Sequence, residues 1–196
     1  MKQFTEIMKR FLLVWISICC VACTQHYTPK PRGYMRLEPP APHYRLFALD
    51  NLPYSFHISH LAEIELPPEN ANESWINVAY PSLGAKIYGS YLAITPATLP
   101  ETEAESRELV VRQARHAERI SEKAYTDPEK RLYASLFLLD GDAASPIQFV
   151  LTDSSSHFFR GSLFYDIRQN ADSLAPVTRY LQEDILEIIQ SFSWND

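Results

Sequence analysis

The spacing of apolar residues changes period repeatedly along the chain, and each change marks an element. An unbroken apolar run comes first, Phe11 to Ala22 (FLLVWISICCVA), behind Lys2, Lys9 and Arg10. Pro29, Pro31, Pro39, Pro40 and Pro42 follow; they exclude helix and favour an extended, polyproline-like course. From Tyr44 the pattern becomes that of a folded domain. Tyr54-Ser-Phe-His-Ile58 alternates with the period of two of a strand. A polar loop, Pro67-Pro-Glu-Asn-Ala-Asn-Glu73, leads to Trp75–Tyr80 and Ala85–Ile94, a predicted hairpin turned by Pro81-Ser-Leu-Gly84.

The period then becomes helical. Thr102 with Glu105 fits a capping box, and Leu109, Val110, Ala114, Ala117, Ile120 and Ala124 form one apolar stripe. Arg112, Arg115, Glu118, Arg119, Glu122 and Lys123 occupy the opposite side, and Asp127-Pro128 ends the predicted helix. Strands are predicted at Arg131–Leu139, Pro146–Thr152 and Phe158–Ile167, joined by turns at Asp140–Ala144 and Asp153–Ser156. Such short connections imply antiparallel neighbours. A last helix, Ser173–Phe192, buries Val177, Leu181, Ile185, Ile188 and Ile189, with Asp172 or Ser173 as its cap and Pro176 in its first turn.

Two amphipathic helices need an apolar surface, and an antiparallel sheet of about six strands supplies one. The expected fold is therefore a single α+β domain over residues 44–196, a sheet flanked by helices. The pattern resembles the Mog1/PsbP type of α/β/α sandwich, whose last strand also leads through a loop to a C-terminal helix; here a Ser-Phe pair, Ser191-Phe192, closes it. Fold alone carries no function.

Cys23 gives the first apolar run a meaning. Basic residues, a short apolar region, small Ala22 and then cysteine make the layout of a bacterial lipoprotein signal, residues 1–22, with Cys23 as the acylated residue. Cys20 stands where an aliphatic residue is usual, three positions before the lipid site. A secretory signal cleaved near Ala22 is one alternative. A transmembrane anchor is another, although the run is shorter than the roughly twenty residues of a spanning helix. Residues 23–43 read as a Pro-rich tether, in which Tyr27, Tyr34 and Met35 supply apolar side chains that a plain linker does not need. All three cysteines lie at or before position 23, so the domain has neither disulfide nor thiol chemistry. The net charge of −6, with no basic cluster beyond the signal, argues against nucleic acid and anionic lipid surfaces as partners.

Candidate chemistry is sparse, and no cofactor is expected. His57 and His60 have an H-x-x-H spacing, but in a strand residues three apart point to opposite faces, so no metal site is expected. Asp140-Gly-Asp142 holds only the start of a calcium loop and reads as a turn. Asp153-Ser-Ser-Ser-His157 contains the residue types of a hydrolase without a nucleophile elbow, and turn chemistry accounts for it equally. With five glycines the chain has no phosphate-binding loop. Arg160-Gly161 inside a strand predicts a bulge with a snorkelling arginine, or else an arginine that forms a buried ion pair or faces a partner.

Several segments together resemble the gliding-motility lipoprotein GldD family of Bacteroidetes. They are Tyr27-Thr-Pro-Lys-Pro-Arg-Gly-Tyr34, Ala143-Ala-Ser-Pro-Ile-Gln-Phe149, Thr152-Asp-Ser154 with His157-Phe-Phe-Arg-Gly-Ser-Leu163, and Asp172-Ser-Leu-Ala-Pro176 with Glu183-Asp-Ile-Leu186 and Ser193-Trp194. The resemblance implies a role in gliding and in the linked type IX secretion machinery. It implies envelope proteins of that machinery as partners, and no catalytic residue. Asp172-Ser173-Leu174 also matches a short pattern O-glycosylated on exported Bacteroidetes proteins, with helix capping as the competing use of Ser173. No acidic residue follows Cys23 closely, as it does in surface-exported lipoproteins, so a periplasm-facing lipoprotein of the outer membrane is expected.

The expected function is that of a non-enzymatic lipoprotein acting through protein contacts. Candidate contact residues are Tyr27, Pro29, Arg32 and Tyr34 in the tether, Ser145 and Pro146 in the stiff Ala-Ala-Ser-Pro turn, and Arg160. A ligand-binding lipoprotein, its sheet aromatics Phe158, Phe159, Phe164 and Tyr165 enclosing an apolar molecule, is the first alternative. A hydrolase using Ser155 or Ser156 with His157 is the second.

Overall fold

The structure is a computed structural model describing residues 41–68, 75–166 and 171–195, without the side chains of 171–173. Cys23, Tyr27, Pro29, Arg32 and Tyr34 lie outside the described residues, as does the side chain of Ser173.

The domain opens with β1 (Tyr44–Ala48), β2 (Tyr54–Ser59) and the short β3 (Glu63–Glu65). The expected hairpin follows as β4 (Trp75–Tyr80) and β5 (Ala85–Ala93). Its connection is one 3-10 turn, Pro81–Leu83, closed by Gly84 at φ 55°, a left-handed conformation that favours glycine. Helix α1 (Leu99–Gln113) leads to the meander β6 (Ala117–Asp127), β7 (Leu132–Gly141), β8 (Ile147–Thr152) and β9 (His157–Tyr165). Helix α2 (Ala171–Ser191) and β10 (Ser193–Trp194) complete the described elements.

Seven strands form one antiparallel sheet in the order β3-β4-β5-β9-β8-β7-β6, and β1-β2-β10 form a second, smaller one. The α+β class with helices flanking a sheet is as expected. The main core fills one face of the large sheet. There Val177, Leu181, Ile185, Ile188 and Ile189 of α2, the stripe legible in the sequence, pack with Tyr54, Phe56 and Ile58 of β2 against the sheet. Each such buried side chain contributes about 1.5–3 kcal/mol. Tyr54, Phe56, Phe159 and Phe192 make a continuous aromatic cluster with ring centroids 5.1 to 6.4 Å apart.

The region after α1 differs from expectation. Residues 117–127 are strand β6, paired with β7 along its length, and not the second half of a helix. Ile120, part of the apolar stripe that predicted helix, is exposed. Helix would therefore bury little there, and backbone pairing decides the conformation. Asp127-Pro128 begins a hairpin turn in which the Asp127 carboxylate accepts from the Lys130 amide at 3.2 Å. The capping box does not form either. The helix starts at Leu99 with Pro100 in its first turn, and Thr102, already inside it, donates to the Thr98 carbonyl.

Gly161 marks no bulge. It lies in unbroken register with Gly89 of β5 and Phe149 of β8. A side chain at Gly161 would collide with the Phe149 ring, and one at Gly89 with the Phe159 ring. The paired glycines make room for aromatic rings of the core, and at Gly89 also for Ile76, whose side chain and carbonyl come close.

Candidate interaction surface

The second face of the large sheet is only partly covered. α1 lies over its β7–β8 side, where Val110 packs with Phe137 and Leu139 and against Val150. Arg107 ties α1 to β6 through two hydrogen bonds to Glu122, at 2.9 and 2.8 Å, with its guanidinium over the Phe137 ring. A cavity of about 70 Å3 remains between helix and sheet, well below the roughly 300 Å3 of a small-molecule site.

On the β5 side the face is open. Tyr88 and Leu92 are exposed, and Tyr88 stands edge-on to Phe164 at 5.6 Å. Lys86 beside them is paired with Glu65 at 2.9 Å. Arg160 sits between the covered and open regions, half-buried, its Nη2 donating to Gln148 Oε1 at 2.9 Å. Burial, and then the positive charge of Arg112, hold the Arg160 guanidinium below its ordinary pKa.

The other candidate residues fall elsewhere. Ser145 is fully buried and its hydroxyl donates to the Ile147 carbonyl, so it offers nothing to a partner; Pro146 beside it is half-buried. The aromatics of the ligand-binding alternative enclose no common space. Successive residues of β9 alternate, so Phe159 and Tyr165 face α2 while Phe158 and Phe164 face the other way.

Residues 153–157 form a self-contained turn. The Asp153 carboxylate accepts from the amides of Ser155, Ser156 and His157 and from the Ser155 hydroxyl. Burial pushes its pKa up, but these hydrogen bonds outweigh burial and hold it well below the usual carboxylate range. The His157 ring bonds to the Tyr91 hydroxyl at 2.8 Å and stacks on Trp194. Neither Ser155 nor Ser156 makes a side-chain hydrogen bond to it, so the dyad required of a hydrolase is not formed. His57 meets Glu187 at 2.9 Å, whereas His60 meets the His43 carbonyl, so the H-x-x-H pair is split. Asp140 is engaged by Arg119. Among the described residues no three His, Cys, Asp or Glu side chains cluster as metal ligands.

Sequence reading passed over a buried acid. Asp184 is 1 % exposed on the inner side of α2 and accepts from the Tyr44 hydroxyl at 2.9 Å. Burial raises its pKa against the opposing hydroxyls of Tyr44, Tyr80 and Ser59. Of these only Tyr44 meets good hydrogen-bond geometry; Asp184 Oδ2 and Tyr80 Oη remain unpaired. The helical period of Ile185, Ile188 and Leu181 places Asp184 at the margin of the apolar stripe, which was the available signal.

Comparison with known proteins agrees with the motif resemblance. No curated protein matches the chain. The solution structure of cyanobacterial PsbP (CyanoP) from Synechocystis sp. PCC 6803 is similar at 13 % identity and a TM-score of 0.47, over 84 % of this chain and 99 % of that one. A family model described as gliding motility lipoprotein GldD matches residues 24–194, from just after Cys23 to the end of β10. With residues 24–194 of the 196 matched, the chain belongs to the gliding motility lipoprotein GldD family.

Proposed function

We propose that this protein is a non-enzymatic, lipid-anchored member of the gliding apparatus and the linked type IX secretion machinery, acting through contacts with other envelope proteins. The family match over residues 24–194 carries this reading. Cys23 holds the lipid, the molecule sits on the outer membrane facing the periplasm, and the Tyr27–Tyr34 segment belongs to the contact surface. The open, partly aromatic sheet face around Tyr88 supports the reading, because exposed apolar groups on a sheet favour docking over catalysis.

Deleting Tyr27 to Tyr34 tests it. The expected strain keeps a normal amount of the protein and loses spreading on agar. Normal spreading at normal protein level would remove this segment from the contact surface.

A further inference from the structure

Guanidinium groups withdrawn from water are ordinarily paired with carboxylates. Arg160 is not. Among the described residues its hydrogen bond goes to the neutral Gln148, and no ion pair reaches it. Its Nε–H is buried without an acceptor. Gln148, 1 % exposed, also leaves its Nε2 buried without an acceptor. The charge that acts on Arg160 is a second cation, Arg112, whose ion pair to Glu108 is long at 3.9 Å. Among the described residues, then, no acid is paired with this group of donors that lack acceptors.

The neighbours of Arg160 define what would fit. Arg160 opposes Ser90, and Tyr88 opposes Ser162, so Arg160 and Tyr88 are diagonal neighbours on one face. Such neighbours lie about 7–8 Å apart. Alternate residues of an extended chain are separated by about 7 Å.

We propose that Arg160, positioned by Gln148, forms the charged end of a docking site for an extended segment of a partner protein, which sets a carboxylate on Arg160 and an apolar side chain, two residues along, against Tyr88 and Phe164. The proposal rests on the protein-contact reading above and gives that contact its chemistry. The carboxylate approaches over Ser90 and turns the Nε–H edge of the guanidinium toward itself in the two-bond geometry arginine favours. Gln148, itself buried, accepts from Nη2 and holds the guanidinium in place.

The full-length chain in detergent, titrated with the capped peptide acetyl-Ser-Glu-Ser-Phe-Ser-amide, tests the site by NMR of the Arg160 Nε–H and the Tyr88 ring. Both resonances are expected to shift together and saturate. Replacing the peptide glutamate by glutamine is expected to weaken binding about tenfold or more, the worth of a hydrogen bond to a charged group. Arg160→Met is expected to abolish the response while the melting temperature changes by no more than a few degrees, since the removal of an unpaired charge is set against the buried Gln148 Oε1 left without its donor. Equal binding of the glutamine peptide would overturn the site. So would an Arg160→Met chain that melts earlier yet binds the peptide unchanged, for Arg160 would then be structural. Failure of the peptide test with loss of spreading in the Tyr27–Tyr34 deletion defeats the site alone. Discriminating binding with normal spreading in that deletion leaves the site standing and removes the tether from the contact.

Discussion

Asp184 and Asp153 show how opposite environments act on one residue type. Asp153 lies in a turn whose amides converge on its carboxylate, and its charged form is favoured. Asp184 lies between α2 and the sheets with one well-formed hydrogen bond, and its neutral form is favoured. The signs follow from linkage. The contribution of Asp153 is present above the ordinary aspartate pKa and lost as pH falls through its depressed one. That of Asp184 is present below the ordinary value, 3.8, and lost as pH rises through its raised one. His60 and Glu187 and the hydroxyls of Tyr44, Tyr80, Tyr180 and Ser59 surround this cluster, so the total pH profile is composite. Subtracting the profile of Asp184→Asn isolates the one group. The variant is expected to be at least as stable as the parent at neutral pH, and the difference to shrink as pH falls toward 4, by about 1.4 kcal/mol for each unit of the raised pKa. Urea unfolding at a series of pH values measures it; a loss of about 3 kcal/mol at pH 7, typical of a broken buried ion pair, would contradict this account.

At the scale of elements, β6 is a long strand at the edge of the large sheet, a place that invites pairing with another chain. Its charges oppose self-pairing. A two-fold antiparallel dimer centred on Ser121 sets Arg119 against Lys123; one centred on Glu122 sets Glu122 against its own copy; one centred on Lys123 does the same for Lys123. Like charges directly opposite destabilise a strand pair. Replacing both Glu122 and Lys123 by Thr removes all three repulsions, and the variant is expected to self-associate with rising concentration while the parent does not. Sedimentation velocity decides, and a variant that stays monomeric at the highest concentration refutes the argument. The double variant also loses the exposed Arg107–Glu122 pair, a cost of at most about 1 kcal/mol. These same residues explain a misreading. Glu122 and Lys123, with Ile120 and Ala124 on the other side, look amphipathic at helical spacing, and only pairing with β7, invisible to a local pattern, makes a strand of them. The hairpin β4–β5, the meander β7–β9 and the buried stripe of α2 were legible because each buries one regular face. β3 and β10 are too short to carry a period. At the candidate surface, Gly161 drew attention to Arg160, but its partner Gln148 is a neighbour only across a strand pairing that no local spacing reveals.

For the molecule as a whole, the core of the described residues runs from Phe47 to Trp194, downstream of the proposed lipid site. Anchoring and folding are therefore separable. A Cys23→Ala chain is expected to leave the membrane fraction and to lose spreading, with its melting temperature unchanged within about 1 °C, since the core of the described residues is left as it is. Fractionation and calorimetry on the same preparation check both halves, and retention in the membrane fraction would show that something other than the lipid holds the protein there. The small sheet has a different consequence. β2 lies between β1 and β10, so residues 54–55 pair with residues 193–194, and the Asn195 amide bonds to the Pro53 carbonyl. Loops of this length are slow to close. A chain made from its N-terminus cannot finish this sheet until Trp194 has emerged from the ribosome. Until then the early half of the domain stays without its closing partner, and an unfolded chain is what a narrow translocation channel can thread.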